Sequence, residues 1–287
     1  MTDLYDPQSI EIVTEKIPMY VGFEMEFAGI SVSDLEGCIP YDSRFRATRD
    51  DSIKVVESHI CPSCKSPHMV VQDRFGAELV SPKTRVSGLQ AALSTFEQIA
   101  DEAKGYGAHI NVTTACHVHI DARLFKPEDL KNTLEIYTSV ENAAYRYFTG
   151  DLDEPRVLYI DLYNFAKSMR RFVQINLKHQ GTNAFFNMHD KYWGWHVSTS
   201  DHSGNSRYTI EFRLFNATAS REKLSEMISF AIGCSYLGLI GVQAGPPRYF
   251  IPDVASSMEE FTAVANITQI GMRLIEAKRD VAVINDA

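Results

Sequence analysis

Apolar and polar residues alternate with a period of two through much of the first eighty positions, most clearly in "MYVGFEMEFAGI" and "RFGAELVS". That period predicts strands with one face buried. The pattern then lengthens. In "SGLQAALSTFEQIADEAKG", Leu89, Leu93, Phe96 and Ala100 recur at helical spacing, with Ser87 placed to cap the start and Gly105 to stop the run. "TTACHVHIDARLF" returns to strand character, and Pro127 opens a second helix through Leu130, Leu134, Tyr137 and Ala144.

From Tyr159 to Lys178 the pattern is again mostly helical. The stretch "NAFFNMHDKYWGWHVSTSDHSGNSRYTIEFRLF" is rich in aromatic residues, His, Asn and Gly, and closes on an alternating strand. Two helices follow, over about residues 220–243 and 257–281, the second opened by a capping-box-like "SSMEEF". No repeat, low-complexity tract or long linker divides the chain. The expectation is one α+β domain over residues 1–287, with a Cys/His-containing insertion at 57–70.

Three of the expected strands share one peculiarity. Glu24 and Glu26 lie on one face of "GFEMEF" while Phe23, Met25 and Phe27 lie on the other. In "CHVHI", His117 and His119 oppose Cys116, Val118 and Ile120; in "TIEFRLF", Glu211 and Arg213 oppose Ile210, Phe212 and Leu214. Glu78 of "GAELVS" adds a further acid in strand-like surroundings. A solvent-facing sheet surface shows the same alternation, but it favours Lys, Thr and Ser over acid and imidazole pairs. Two like charges a few ångströms apart repel by roughly 1 kcal/mol in water and by several times that in a drier site. A divalent cation would compensate them, since carboxylates with an occasional imidazole suit Mg²⁺ or Mn²⁺, and a neighbouring Arg suits phosphate. Together these strands predict a polar-lined cavity in a curved antiparallel sheet, backed by helices on the apolar face.

Composition narrows the partners. The chain of 287 residues carries a net charge of -9 with a sequence pI near 5.5, which argues against a nucleic-acid or anionic-membrane surface. Its first twenty residues lack a basic start followed by an apolar run, so the expected location is the cytoplasm. The apolar stretch from Ile228 to Gly245 reads as a buried helix, because Ser229, Ser235 and Gln243 interrupt it. Five cysteines, an odd number without a regular framework, fit a reducing compartment. Cys61 and Cys64, flanked by His59 and His68, offer four zinc ligands in one short segment, although a lone CxxC also suits a polar hairpin with free thiols.

Taken in order, "GFEMEF", "DDS", "GAELVSP", "CHVHID", "DKYWGWHV" and "TIEFRLFNAT" resemble the amidoligases, relatives of glutamine synthetase and glutamate-cysteine ligase among the carboxylate-amine ligases, over about residues 20–218. The resemblance implies a glutamine synthetase-like active-site funnel. It implies that Glu24, His117 and Glu211 surround one Mg²⁺ or Mn²⁺ and that Glu26 and Glu78 surround another, with Asp51 the nearest substitute for further acids of that shell. His119 and Arg213 would face the phosphates of ATP, and Lys191 would contact phosphate or substrate. The implied reaction is ATP-dependent amide or isopeptide formation through an acyl phosphate, with Glu24, Glu26, Arg213 and Asp51 in the catalytic centre.

Asp51 and Glu57 are candidates for the base that deprotonates the amine. Expected substrates are small-molecule or peptide carboxylates and amines. A phosphotransferase like the guanidino kinases, a metal-dependent amide hydrolase and a binding protein without turnover remain alternatives. The absence of a GxxxxGK loop removes only a P-loop ATPase.

Overall fold

The computed structural model describes residues 5–12, 19–60, 67–73, 75–153, 155, 166–187, 192–200 and 206–285. Nine strands are β1 (Tyr20–Ala28), β2 (Arg46–Arg49), β3 (Val55–Ile60), β4 (Pro67–Asp73), β5 (Gly76–Val80), β6 (Thr84–Arg85), β7 (Ala115–Asp121), β8 (Trp195–Ser200) and β9 (Ser206–Asn216). They alternate with the helices α1 (Val32–Gly37), α2 (Leu89–Gly105), α3 (Pro127–Tyr147), α4 (Arg221–Leu239) and α5 (Met258–Asn285).

An open antiparallel sheet in the order β2-β5-β1-β7-β9-β8 forms the main layer, with the short β6 also paired to β1. Strands β3 and β4 make a separate two-stranded sheet. Mixed helix and antiparallel sheet is the α+β arrangement that the alternating and helical periods predict. One face of the main sheet is apolar throughout. Val21, Phe23, Met25 and Phe27 of β1, Cys116, Val118 and Ile120 of β7, and Ile210 and Phe212 of β9 are all buried. Against this face α4 packs on β1 and β7 and in turn contacts α2, α3 and α5. Phe230 of α4 lies edge-on to Phe212 and Phe215 of β9, tying the layers together.

Of the apolar run at 228–245, residues 228–238 are buried in α4, while 240–245 lie beyond its end and are exposed or half-buried. Helix α4 ends at Leu239, and among the described residues no helix is long and apolar enough to cross a membrane. Its crossing with α5 is close: a Cβ at Gly233 would meet the Ile267 carbonyl oxygen, and one at Gly271 would meet the Ser229 carbonyl oxygen.

The ends of α2 differ from their sequence signals in two places. Helix α2 starts after a 3-10 turn, Val86–Gly88, so its N-cap is Gly88 and the Ser87 side chain makes no capping bond. The helix includes Gly105, and the reversal comes at Gly107, whose φ of 94° lies in the left-handed region. The box at "SSMEEF" forms as expected: Glu260 Oε2 accepts from Ser257 N at 2.6 Å, and Ser257 Oγ accepts from Glu260 N at 3.2 Å. Residues 159–165 of the helix expected from Tyr159 to Lys178 lie outside the described residues; residues 166–169 are not helical, Lys167 bridging to Trp193 instead, and the stretch becomes helical from Arg170, with Phe172–Leu177 in a π-helical turn.

Candidate functional site

The polar face of the sheet collects side chains from six of the described strands. Register places Glu24 opposite His117, Glu26 opposite Glu78, Glu78 opposite Thr48, His119 opposite Glu211, and Glu211 opposite His196. Paired residues of antiparallel strands project to the same side, so these groups converge even though β1 and β9 are nearly two hundred residues apart in sequence. An irregularity sharpens the cluster. Between the pairs Cys116↔Phe215 and Val118↔Phe212, His117 of β7 faces both Arg213 and Leu214 of β9. Such a bulge bends the strand locally and re-aims a side chain. Here Leu214 and Phe215 are both buried in the core, while Arg213 stays on the polar face with Glu211.

The distances define two overlapping groups. Ligand atoms of Glu24, His117 and Glu211 lie within 4.8 Å of one another, and so do those of Glu26, Glu78 and His117. His117 Nδ1 is 3.4 Å from Glu24 Oε2 and 3.8 Å from Glu211 Oε1, while its Nε2 is 3.9 Å from Glu26 Oε1. That Nε2 is buried and makes no hydrogen bond. His119 Nε2 sits 3.1 Å from Glu24 Oε2, and Arg213 is ion-paired to Glu211. The remaining lone pairs have fixed partners: Ala115 N donates to Glu26 Oε2 at 2.7 Å, and Thr48 Oγ1 donates to Glu78 Oε2 at 2.9 Å.

These contacts separate the charge states of the acids. Burial raises Glu78, and the negative charges of Glu24 and Glu26 add to it, so its pKa reaches about 8. Burial also raises Glu211, but the Arg213 guanidinium outweighs it and holds the carboxyl down to about 2. Glu24 is likewise driven well below the usual carboxylate range, against its burial, by the charge of His119 and the hydrogen bond from His117. The imidazoles diverge. Burial and then the nearby Arg213 charge push His117 down to about 4; His119, despite burial, is lifted to about 9 by Glu24. At neutral pH His117 is therefore a neutral donor ligand, and His119 is a cation beside Arg213.

A donor set of carboxylate oxygens with one neutral imidazole is hard and mainly oxygen, as divalent Mg²⁺ or Mn²⁺ requires. The unbonded His117 Nε2 supplies the orphaned polar atom such an ion would satisfy. Both groups fit a cation by their own chemistry.

Glu24, Glu26, Glu78, His117, His119, Glu211 and Arg213 thus occupy one site. Asp51 does not join them: it is exposed and its Oδ1 accepts from Arg49 Nε at 2.7 Å. Glu57 lies in β3, in the separate two-stranded sheet. Lys191, and Cys61 and Cys64 of the zinc reading, lie outside the described residues. Trp195 is fully buried against Phe185, Trp193 is only partly buried with Lys167 Nζ 5.8 Å from its ring, and Arg170 and Arg171 are exposed.

Three participants carried no sequence signal strong enough to single them out: the second role of His117, the hydroxyl of Thr48, and His196, whose Nδ1 is 3.7 Å from Glu211 Oε2. Only His196 was recoverable, because alternation between core-facing Trp195 and Val197 puts it on the polar face.

Fold and site together define an α+β protein with a buried acid-imidazole-guanidinium centre on the polar face of an open antiparallel sheet. A family model described as "Putative amidoligase enzyme" matches residues 39–235, more than half of the chain, and the chain belongs to that family. Membership places it among ligase-type enzymes. The matched span holds Glu78, His117, His119, Glu211 and Arg213; β1 precedes it, and its Glu24 and Glu26 join the cluster through sheet pairing. No curated protein matches the chain.

Proposed function

We propose that this protein is an ATP-dependent carboxylate-amine ligase forming an amide or isopeptide bond, and that the polar face of its sheet is the wall of a glutamine synthetase-like funnel. The whole chain acts as one catalytic domain to which the β3-β4 hairpin is appended. The observation that carries the reading is the convergence of Glu24, His117 and Glu211 with Glu26 and Glu78, flanked by the cationic His119 and Arg213.

In this reading Glu24, Glu211, Glu26 and Glu78 supply carboxylates for two divalent cations, and His117, a neutral imidazole with one lone-pair nitrogen, ligates one of the two. When bound, such ions supply charge neutralisation at the transferring phosphoryl group. The protein's own groups do the positioning. Arg213, kept in place by Glu211, turns its guanidinium toward phosphate oxygens, and its buried Nε has no hydrogen-bond partner among the described residues. His119, protonated under the influence of Glu24, adds a second donor to the same oxygens. The γ-phosphoryl group passes to a substrate carboxylate, and an amine displaces phosphate from the resulting acyl phosphate. Because the centre is buried, both donors act in a medium of low polarity, where a fixed charge does more than it would in water.

The test is release of ADP and free phosphate in the presence of Mg²⁺ or Mn²⁺ with pooled carboxylates and amines. Release that requires both pools, and that falls about 100-fold or more in Arg213→Met, is the expected result. A stable phosphorylated acceptor would instead make the protein a phosphotransferase, and amide cleavage without nucleotide would make it a hydrolase.

A further inference from the structure

Along the same face of the sheet, beyond the acid cluster, the chain builds a corner of opposite charge. Lys83 Nζ lies 2.5 Å from Asp121 Oδ2, and Arg123 reaches the same carboxylate with Nε at 2.9 Å and Nη2 at 2.6 Å. Arg85 Nε donates to Tyr20 Oη at 2.9 Å, and among the described residues no carboxylate pairs with it. The Tyr20 ring lies beneath both bases, 4.7 Å from Lys83 Nζ and 5.6 Å from Arg85 Cζ. Three cations therefore gather at a corner with one acid, which pairs with two of them, in a chain whose net charge is -9. Against a burial that raises it, hydrogen bonds from Arg123 and Lys83 hold Asp121 down to about 2, so it stays charged and the corner stays net positive.

Between this corner and Glu24, β1 itself offers no side chain, and His119 of β7 stands across from the gap. Tyr20, Gly22, Glu24 and Glu26 alternate with the buried Val21, Phe23 and Met25, so Gly22 is the one position of that row without a side chain. Among the described residues a Cβ there would meet only Ser81 Oγ, at an ordinary 3.7 Å, and the backbone is not left-handed. Sterics do not require glycine at this point, and glycine within a strand costs roughly 0.5–1 kcal/mol relative to alanine. The partner register of β1 changes around it, from Val21↔Thr84 to Glu24↔Val80, and a strand glycine marks either such an irregularity or the close approach of another group. From Tyr20 to Glu24 the strand rises about 13 Å, the reach of an extended ligand.

We infer that the strip over Gly22 is a ligand trough: an extended molecule lies along β1 with an anionic terminus, carboxylate or phosphate, gripped by Lys83, Arg85 and Arg123. The inference rests on the proposed function only for placing the reacting end of that molecule at the acid cluster. The anion belongs either to the nucleotide or to the carboxylate substrate, and its chemistry at the corner is the same.

The experiment measures binding of inorganic tripolyphosphate and of triglutamate by calorimetry in magnesium buffer, using the full chain, a Lys83→Met/Arg123→Met double variant and Gly22→Val. Wild-type protein should bind at least one probe saturably. Both variants should weaken that probe by about tenfold or more with an unchanged melting temperature, as expected for losing charge-assisted hydrogen bonds or filling the gap. Weakened tripolyphosphate assigns the corner to the nucleotide, and weakened triglutamate assigns it to the substrate. If valine lowers the melting temperature, Gly22→Ala replaces it. Absence of saturable binding by the wild type, or a variant that binds as the wild type does, overturns the trough. Binding needs no turnover, so a chain that binds in this variant-sensitive way yet releases no ADP overturns the ligase reading alone.

Discussion

His117 stands between the two carboxylates of β1, with Nδ1 3.4 Å from Glu24 Oε2 and Nε2 3.9 Å from Glu26 Oε1. Residues two apart on a strand project from the same face, and the imidazole of the neighbouring strand enters the gap they leave. One side chain thereby belongs to both groups that fit a cation.

Replacing that imidazole should therefore remove a ligand from one group and, from the other, the side chain that spaces its carboxylates. His117→Ala is expected to weaken Mn²⁺ binding by about 10–100-fold, read by calorimetry or by loss of Mn²⁺-dependent thermal stabilisation. Glu78→Gln should weaken only part of the binding. Equal, small effects of the two changes would argue that His117 is not shared.

Asp51 provides the contrasting case. Its carboxylate is exposed and, among the described residues, pairs only with the exposed Arg49. Asp51→Ala should leave stability within about 0.5 kcal/mol and ADP release within about twofold. A loss of turnover comparable to that of Arg213→Met would return Asp51 to the catalytic centre.

Glu141 makes stability depend on pH away from the site. It is fully buried in α3, where it accepts from Ser168 Oγ at 2.6 Å, Met169 N at 2.7 Å and Phe250 N at 3.1 Å. Burial pushes its pKa from the ordinary 4.5 up to about 7, although these hydrogen bonds pull the other way. The folded state then holds a proton that the unfolded chain releases, so this stability is complete below pH 4.5 and is lost as pH rises to about 7. The interval corresponds to about 3 kcal/mol. Denaturant titrations of the wild type should show this contribution declining across the window, and those of Glu141→Gln should not.

The α4-α5 crossing should resist even one added methyl group. Gly271→Ala forces its Cβ onto the Ser229 carbonyl and should cost about 1–3 kcal/mol, seen as a lower melting temperature. Gly105→Ala, at the last position of α2 with nothing within 4 Å, should stabilise by about 0.5–1 kcal/mol. The opposite order would mean that the two helices can separate without penalty.

Much of the site was legible because a strand has a fixed period. Alternation alone put Glu24 with Glu26, His117 with His119, and Glu211 with Arg213 on polar faces, and the structure keeps all three pairs there. Helices were equally plain where Leu89, Leu93 and Phe96 or Leu130 and Leu134 repeat along a buried stripe. Capping was less so, since Ser87 and Gly105 offered the right chemistry one or two residues from where α2 begins and reverses.

What the sequence determined by itself is which side of each strand is polar, because that depends only on the pleat and on neighbours in the chain. Tertiary structure alone decided which polar sides meet. It set β1 between β5 and β7, slid Glu26 opposite Glu78, placed Arg213 at a bulge facing His117, and turned Asp51 to solvent. The reason is that strand order and register are fixed by burying the whole apolar face against α4, a condition spread over distant segments that no local pattern contains.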